Sequence, residues 1–489
     1  MHLYGWGVAG PDLAKGAAVN VPRYFPSLVD MKVALVACGV KVTMLVSSEG
    51  FLYSYGTGPA LGVGTGTNGT SQTPALVTFP TKVRITKVAV STHVLACTDD
   101  GSVFSWGPCL FGVLGHGDDV SRDTPKRIDT LMEVCHVSCG EAYSGVVTTD
   151  HKVLTWGKGS LGRLGHGDRD NQCTPKLVAK LTGVKAIQIA CGYGDAHTLV
   201  LTQDGKVYSF GDPDFGKLGR TGASDQPLLI KSPVPDPKFF ITKICVGHQC
   251  SALLSRDGQV FTFGQANKGQ LGHGISDVNH SSTPEPRVVL AFLGVTIKDV
   301  ELGRHYGCAV SDAGDMYTWG ESMLALPTVL PTIITELSGK GISSVACGHA
   351  QVICWNDPSA PAARPAAFHV TSTLPTASAL GDLLLYLQQE VLSPDVYNAI
   401  VPTLNILHAF FRVEDSPAKS PESADRIAAV FFPLKAVILE WACTPLVLPS
   451  VDPIPLLVAA RNVLLAGWAC FQPTIAEREQ ILAGKLLIV

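Results

Sequence analysis

Apolar and polar residues alternate in short runs along the first three-quarters of the chain. Runs such as Val207-Tyr208-Ser209-Phe210 and Val260-Phe261-Thr262-Phe263 change character at every second residue, the pattern of a half-buried β-strand. A turn precedes most of them, at Glu49-Gly50, Asp100-Gly101, Asp204-Gly205, Asp257-Gly258 and Ala313-Gly314. Glycine there supplies the positive φ of a tight hairpin. An aromatic residue followed by glycine ends each run: Trp6-Gly7, Tyr55-Gly56, Trp106-Gly107, Trp156-Gly157, Phe210-Gly211, Phe263-Gly264 and Trp319-Gly320. These glycines lie 49, 51, 50, 54, 53 and 56 residues apart, a period that predicts a propeller or another repeat array.

Other signals keep the same period. Upstream strands end at Ala37-Cys38-Gly39, Ser138-Cys139-Gly140, Ala190-Cys191-Gly192, Val246-Gly247, Leu302-Gly303 and Ala346-Cys347-Gly348, with Ser91 at the glycine position of the second repeat. Downstream come Leu-Gly turns at Leu61, Leu114, Leu164, Leu218 and Leu271, then Thr-Pro steps at Thr73, Thr124, Thr174 and Thr283. Proline is tolerated at a strand start or edge, so each Thr-Pro is expected to open a last short strand. The unit is four strands, one propeller blade. After Gly320 the turn is missing, and that blade is expected to be shorter at its outer edge.

The repeat region begins and ends on half a blade. The N-terminal half carries Trp6-Gly7 without a Cys-Gly strand before it; Val345–Trp355 supplies the reverse. Joined, they complete a seventh blade and remove the two open edges that would invite aggregation. The expected fold is an all-β, seven-bladed propeller closed by both ends of the repeat region, followed by a small all-α segment.

Composition narrows the function classes. The 489 residues favour more than one domain, and 49 glycines with 46% hydrophobic and 16% charged residues fit a turn-rich, well-buried β protein. A net charge of −4 and the lack of any Lys/Arg run argue against nucleic acid as a partner. The fourteen cysteines include no Cys-x-x-Cys pair and read as reduced, buried small hydrophobes in a reducing compartment. Met1 leads directly into Leu3–Gly7, which reads as no signal peptide, so the sequons at Asn68 and Asn279 carry no weight. Cytoplasmic or nuclear location is the expectation.

Catalytic, cofactor and metal readings all fail on the residues. There is no Gly-x-Ser-x-Gly, Walker loop or His-Glu-x-x-His, and pairs such as Gly62-Val63-Gly64 open no helix. His116, His166 and His273 recur once per blade and so cannot converge on one ion; they are expected to bond a neighbouring backbone group. His93, His197, His248, His305 and His349 follow the inner strands, where packing roles are favoured. Asp118, Asp119, Arg163, Asp168, Arg169, Asp170 and Arg220 are expected on a solvated rim, the part of a propeller that carries contacts.

The combined pattern, Cys-Gly, hydrophobic run, Asp-Gly, alternating run to Trp-Gly, then Gly-x-Leu-Gly-His-Gly and Thr-Pro, resembles the regulator of chromosome condensation repeat. Its clearest copy spans Ile189 to Gly219, with Leu161–Gly167 giving the Leu-Gly-His-Gly form. The resemblance covers residues 1–357 and implies a protein-binding propeller. In the founding member one face drives nucleotide exchange on the GTPase Ran, and other members are ubiquitin-ligase arms or scaffolds. Acidic residues after the Cys-Gly glycine contribute to that GTPase-binding face. The matching loops here hold Glu141 and Asp195, but elsewhere Thr92, His248, Arg304 and His349. The even blade spacing also leaves no long insertion to act as a wedge.

From Pro358 the composition changes to a Pro/Ala-rich linker, 358–378. Residues 379–489 then read as helices, with Leu380, Leu383, Leu384, Leu387, Val391 and Leu392 at helical spacing. The longest uncharged stretch, Asn462 to Ala476, is too short to span a membrane. The resulting expectation is a monomeric interaction scaffold or regulatory docking module in a signalling or ubiquitin-pathway protein. It has no catalytic residues, cofactor, metal or transmembrane segment, and a protein partner meets it at Glu141, Asp195, His248, Arg304, His305 and His349. The alternative is a guanine-nucleotide exchange factor for a small GTPase.

Overall fold

A computed structural model describes residues 2–7, 19–25, 28, 31–66, 69–194, 197–222, 224–232, 239–274, 282–292, 295–321 and 328–356. The linker, the expected helical segment and Asp195 lie outside these residues. The chain divides into two compact units, 1–286 with 297–365 and 287–296 with 366–489. In the second unit the described residues end the strand Ser282–Val288 and form one 3-10 turn, Leu290–Phe292.

The first unit is a seven-bladed propeller. Seven four-stranded sheets occupy residues 33–76, 85–127, 134–177, 186–229, 241–288, 297–333 and, for the last, 344–355 with 3–24. The seventh blade joins both ends of the repeat region in the order Val19–Tyr24, Leu3–Gly7, Gln351–Trp355, Ser344–Cys347. Its central pair is in continuous antiparallel register from Leu3↔Trp355 to Gly7↔Gln351. The ring is sealed as the half-blades predict.

The cores lie between blades. Val42, Met44 and Val46 of blade one pack with Ile85, Val88, Ala96 and Trp106 of blade two. Leu95, Cys97 and Val103 of blade two pack with Val134, Val146 and Trp156 of blade three. Trp6 and Val352 of blade seven pack with Tyr306, Cys308 and Met316 of blade six. A blade therefore buries its faces only against neighbours.

The repeated aromatic fixes how blades meet. Trp106, Trp156 and Trp319 each donate their indole N–H to the turn of the preceding blade, at Ala60 O (3.0 Å), Val113 O (2.8 Å) and Gln270 O (2.8 Å). The Leu-Gly glycine lies flat on that ring. A Cβ on Gly62 would sit 2.4 Å from the Trp106 nitrogen, and one on Gly165 would sit 2.7 Å from Phe210. Leu-Gly and aromatic-Gly recur together because they touch across the five seams that have both.

Two local expectations change. Thr-Pro does not open the outer strand but sits inside it, in Thr70–Leu76 and Arg122–Arg127. The pairing shifts register at that point, so proline occupies a bulge on an edge strand and breaks no ladder bond. Blade six is not short at its edge either: Thr328–Ile333 is a full outer strand paired with Met316–Gly320.

Trp6→Ala should cost roughly 3–5 kcal/mol, the usual range for emptying a core aromatic site, and deleting residues 1–10 should cost more. Urea denaturation of the full chain measures both. An unchanged midpoint for the deletion would mean that Leu3–Gly7 does not seal the ring.

Candidate functional site

Each inner strand ends just before a glycine (Ser91 in blade two) and turns into a short loop, and these seven loops touch in sequence around one end of the axis. Val40 N donates to Ser91 O (3.1 Å), and the Thr92 hydroxyl donates to Glu141 O (2.6 Å). Gly194 N donates to the Glu141 carboxylate (2.7 Å). Gly194 in turn lies under His248, whose Nε2 would be 2.5 Å from a Cβ there. The His248 and His305 rings meet edge to face at 5.6 Å. The Tyr306 hydroxyl donates to Gly348 O (2.8 Å), and His349 N donates to Gly39 O (3.4 Å). Seven contacts close the circle.

Five of the six predicted contact residues are described, and all five lie in this circle. Glu141 and Arg304 are exposed; His248, His305 and His349 are half-buried. Burial lowers His305 to about 4, helped by His248 and Arg304. Burial and then Arg304 lower His349, which Glu141 opposes. His197 begins the second strand of blade four, while His93 lies in the bend just before Val94–Thr98. Both are fully buried and reach the next blade, with Nε2 at 2.7 Å from Ser144 Oγ and 2.6 Å from Ser251 Oγ. Those hydroxyls spend their protons on Val113 O and Lys217 O, so Nε2 carries the hydrogen in both imidazoles.

The long loops after the third strands open on the same end. Thr57 N, Lys158 N, Gln265 N and Glu321 N donate to Lys41 O, Ala142 O, Gln249 O and His305 O of the inner loops. They expose Leu110 (66%), Phe111 (39%) and Phe215 (38%). Phe111 and Phe215 hold φ of 61° and 60°, a left-handed geometry that bulky residues seldom adopt.

Several rim assignments are corrected here. Arg163 is buried and fixed by Ser160 and Gly194 oxygens. Arg220 donates to Ser209 Oγ, the place a histidine takes elsewhere. His116, His166 and His273 each meet a side chain of their own blade. Each ring Nε2 meets a strand hydroxyl, on Ser105, Thr155 or Thr262, and that hydroxyl donates to the carbonyl of Leu114, Leu164 or Leu271. A Lys217–Asp212 ion pair, also unforeseen, is buried in the blade-four loop.

Along the axis runs a cavity of about 590 Å³ lined by all seven inner strands. The ring two residues before the loop glycine (Ser91 in blade two) is Ala37, Ala89, Ser138, Ala190, Cys245, Glu301 and Ala346. Glu301 breaks the small-residue rule because Lys243 reaches it at 2.6 Å while also holding Asp299 at 2.6 Å. Burial raises Glu301 against the pull of Lys243. Comparing the blades position by position would have revealed this exception in the sequence. Tyr193 stands across the channel, where Cys38, Cys139 and Glu301 of three other blades bear on its buried phenol.

The model of the Regulator of chromosome condensation (RCC1) repeat matches residues 100–147, 150–201, 204–254 and 257–310, and a second model of that repeat matches 186–217. The chain carries regulator of chromosome condensation repeats. Among its relatives is mouse "E3 ubiquitin-protein ligase HERC2", 36% identical over 370 residues, or 72% of this chain. This chain spans only 8% of that relative's length. The Arabidopsis thaliana "Ultraviolet-B receptor UVR8" is 28% identical, over 70% of this chain and 76% of its own. The solved structure of Prp20p from Saccharomyces cerevisiae shares the fold, with a TM-score of 0.63 and 24% identity over 72% of this chain and 90% of its own. Each matched regulator of chromosome condensation repeat runs from the outer half of one blade to the inner half of the next. That offset is why the first and last strands must share a blade.

Burial lowers His93 to about 3 and His197 well below the ordinary imidazole value. The unfolded chain therefore binds protons at these sites before the folded one does. Stability should be full above the unfolded value near 6.5 and fall with pH below it, by about 1.4 kcal/mol per unit for each histidine. Urea midpoints at pH 7, 6 and 5 test this. His93→Gln should flatten the slope by about one histidine's share.

Proposed function

We propose that the propeller is a protein-docking module whose partner meets the end of the ring carrying the inner and outer loops. One observation carries this: both loop sets project there from a rigid closed circle, with charged Glu141 and Arg304 at the centre and apolar Leu110, Phe111 and Phe215 further out. Apolar anchors around specific charges suit a protein contact, and strain held at Phe111 and Phe215 favours a role for their side chains. The module binds and does not itself catalyse. Its setting would be a signalling or ubiquitin-pathway protein of the cytoplasm or nucleus, with the propeller as a monomer. The HERC2 similarity supports that setting, and the twelve described cysteines, all free, fit a reducing compartment.

Nucleotide exchange on a small GTPase is the second reading. It is favoured by the fold shared with Prp20p, a protein described with binding properties to Gsp1p and histones, and by Glu141 in the matching acidic position.

Phe111→Gly with Phe215→Gly keeps the left-handed backbone and removes both rings. Partner capture by the full chain should fall at least tenfold, or about 1.4 kcal/mol, while Lys206→Ala on the opposite hairpin end should leave it unchanged. Equal loss from both variants would discard this face. Accelerated nucleotide release from any member of a GTPase panel would replace the binding-only reading with exchange.

A further inference from the structure

The loops of blades five, six and seven gather one guanidinium and three imidazoles. The His248 and His305 rings lie 5.6 Å apart. Arg304 adjoins His305 in the chain, and the Tyr306 hydroxyl bonds both Gly348 O and Gln351 O at 2.8 Å, which draws the His349 loop against that of Arg304. Arg304 is exposed and has no ion-pair partner among the described residues. The neighbouring charges Lys268 and Glu321 neutralise each other at 2.9 Å. His305 Nδ1 is buried with no hydrogen-bond partner in the described structure.

Among the described residues, the positive and imidazole groups bearing on His305 outnumber the acidic ones. His248, Arg304 and Lys268 all act to keep His305 neutral, against Glu321 alone. Arg304 does the same to His349, against Glu141. An anion placed among these groups would reverse that tendency, because a nearby opposite charge favours the protonated imidazole.

We propose that His248, Arg304, His305 and His349 form a recognition site for a phosphoryl group on a side chain of the protein partner. The proposal rests on the docking reading above and names the chemistry of what docks. A guanidinium fork holds two oxygens of a phosphate in parallel. The third oxygen remains for an imidazole N–H, and the dianion matches more than one positive group. A carboxylate has only two oxygens, which Arg304 alone would satisfy.

The test titrates the full chain with phenyl phosphate and with N-acetyl-phosphoserine amide, following the imidazole Cε1–H signals by NMR. N-acetyl-glutamate amide serves as the carboxylate control. The signals of His248, His305 and His349 should shift saturably with both phosphates. Binding should weaken at least tenfold in Arg304→Gln, and in the wild-type chain the bound phosphate should raise the His305 titration above its free position of about 4. Static signals, an equal response to the glutamate amide, or full binding by Arg304→Gln would overturn the proposal. These probes require no partner, so their failure leaves the docking test untouched. Conversely, phosphate binding alongside capture that ignores Phe111 and Phe215 would count against the docking face alone.

Discussion

The pairing of Leu3–Gly7 with Gln351–Trp355 is the interaction on which the rest of this propeller depends. The large cores among the described residues lie between two blades, so a blade buries its faces against its neighbours. Were that pairing absent, the seventh blade would lose Trp6 and Leu3 from the cores it shares with blades six and one. Both neighbours would then expose an apolar face. The loss would reach the circle of loops as well, since His349 closes that circle by donating to Gly39 O. Fold and candidate site share one closure.

Seams are not equal around the ring. The residue that opens the second strand, or in blade two precedes it, is Val42, His93, Tyr143, His197, Cys250, Tyr306 or Gln351 in successive blades. Five of these reach polar groups in the next blade: His93 to Ser144, Tyr143 to His197 O, His197 to Ser251, Tyr306 to Gly348 O, and Gln351 to Thr43. Imidazole, phenol and amide differ in chemistry but span the same gap. Val42 and Cys250 cannot span it. Between blades five and six, Lys243 supplies a substitute by gripping Asp299 and Glu301 from the inner strand. Between blades one and two, the Trp106–Ala60 and Val40–Ser91 bonds remain.

The ring was legible in the sequence because its signals are local and repeat. Aromatic-Gly, Leu-Gly and Cys-Gly each mark a position whose geometry is the same in every blade, and the half-blades at either end declared the closure. Thr-Pro was misplaced within its strand because a bulge depends on the partner's register, which a single strand does not show. Arg163 and Arg220 were misread for a related reason. A charged side chain in a loop looks solvated until the carbonyls and hydroxyls that hold it are brought in from elsewhere in the fold. His197 looked like a loop residue because one residue separates loop from strand there. The five described candidate residues were legible as a group on one set of loops, since each follows the same glycine or lies one residue beyond it.

What repeats explains the ring, and what departs from the repeat points to function. A residue that recurs in each blade is spread evenly around the axis and meets its own blade or the next, as the histidines of the Leu-Gly-His-Gly turns do. Specific recognition needs an uneven surface. Here the unevenness is concentrated: Glu141 lies on one side of the loop circle, and Arg304 with three imidazoles lies on the other. Phe111 and Phe215 extend it outward at positions where glycine would hold the backbone with less strain. The inner loops also bond one another directly, so this asymmetric set is held in fixed positions before any partner arrives. Little conformational entropy is then left to lose at those positions on binding. A symmetric scaffold with a few fixed asymmetric groups at one end is built to discriminate between partners.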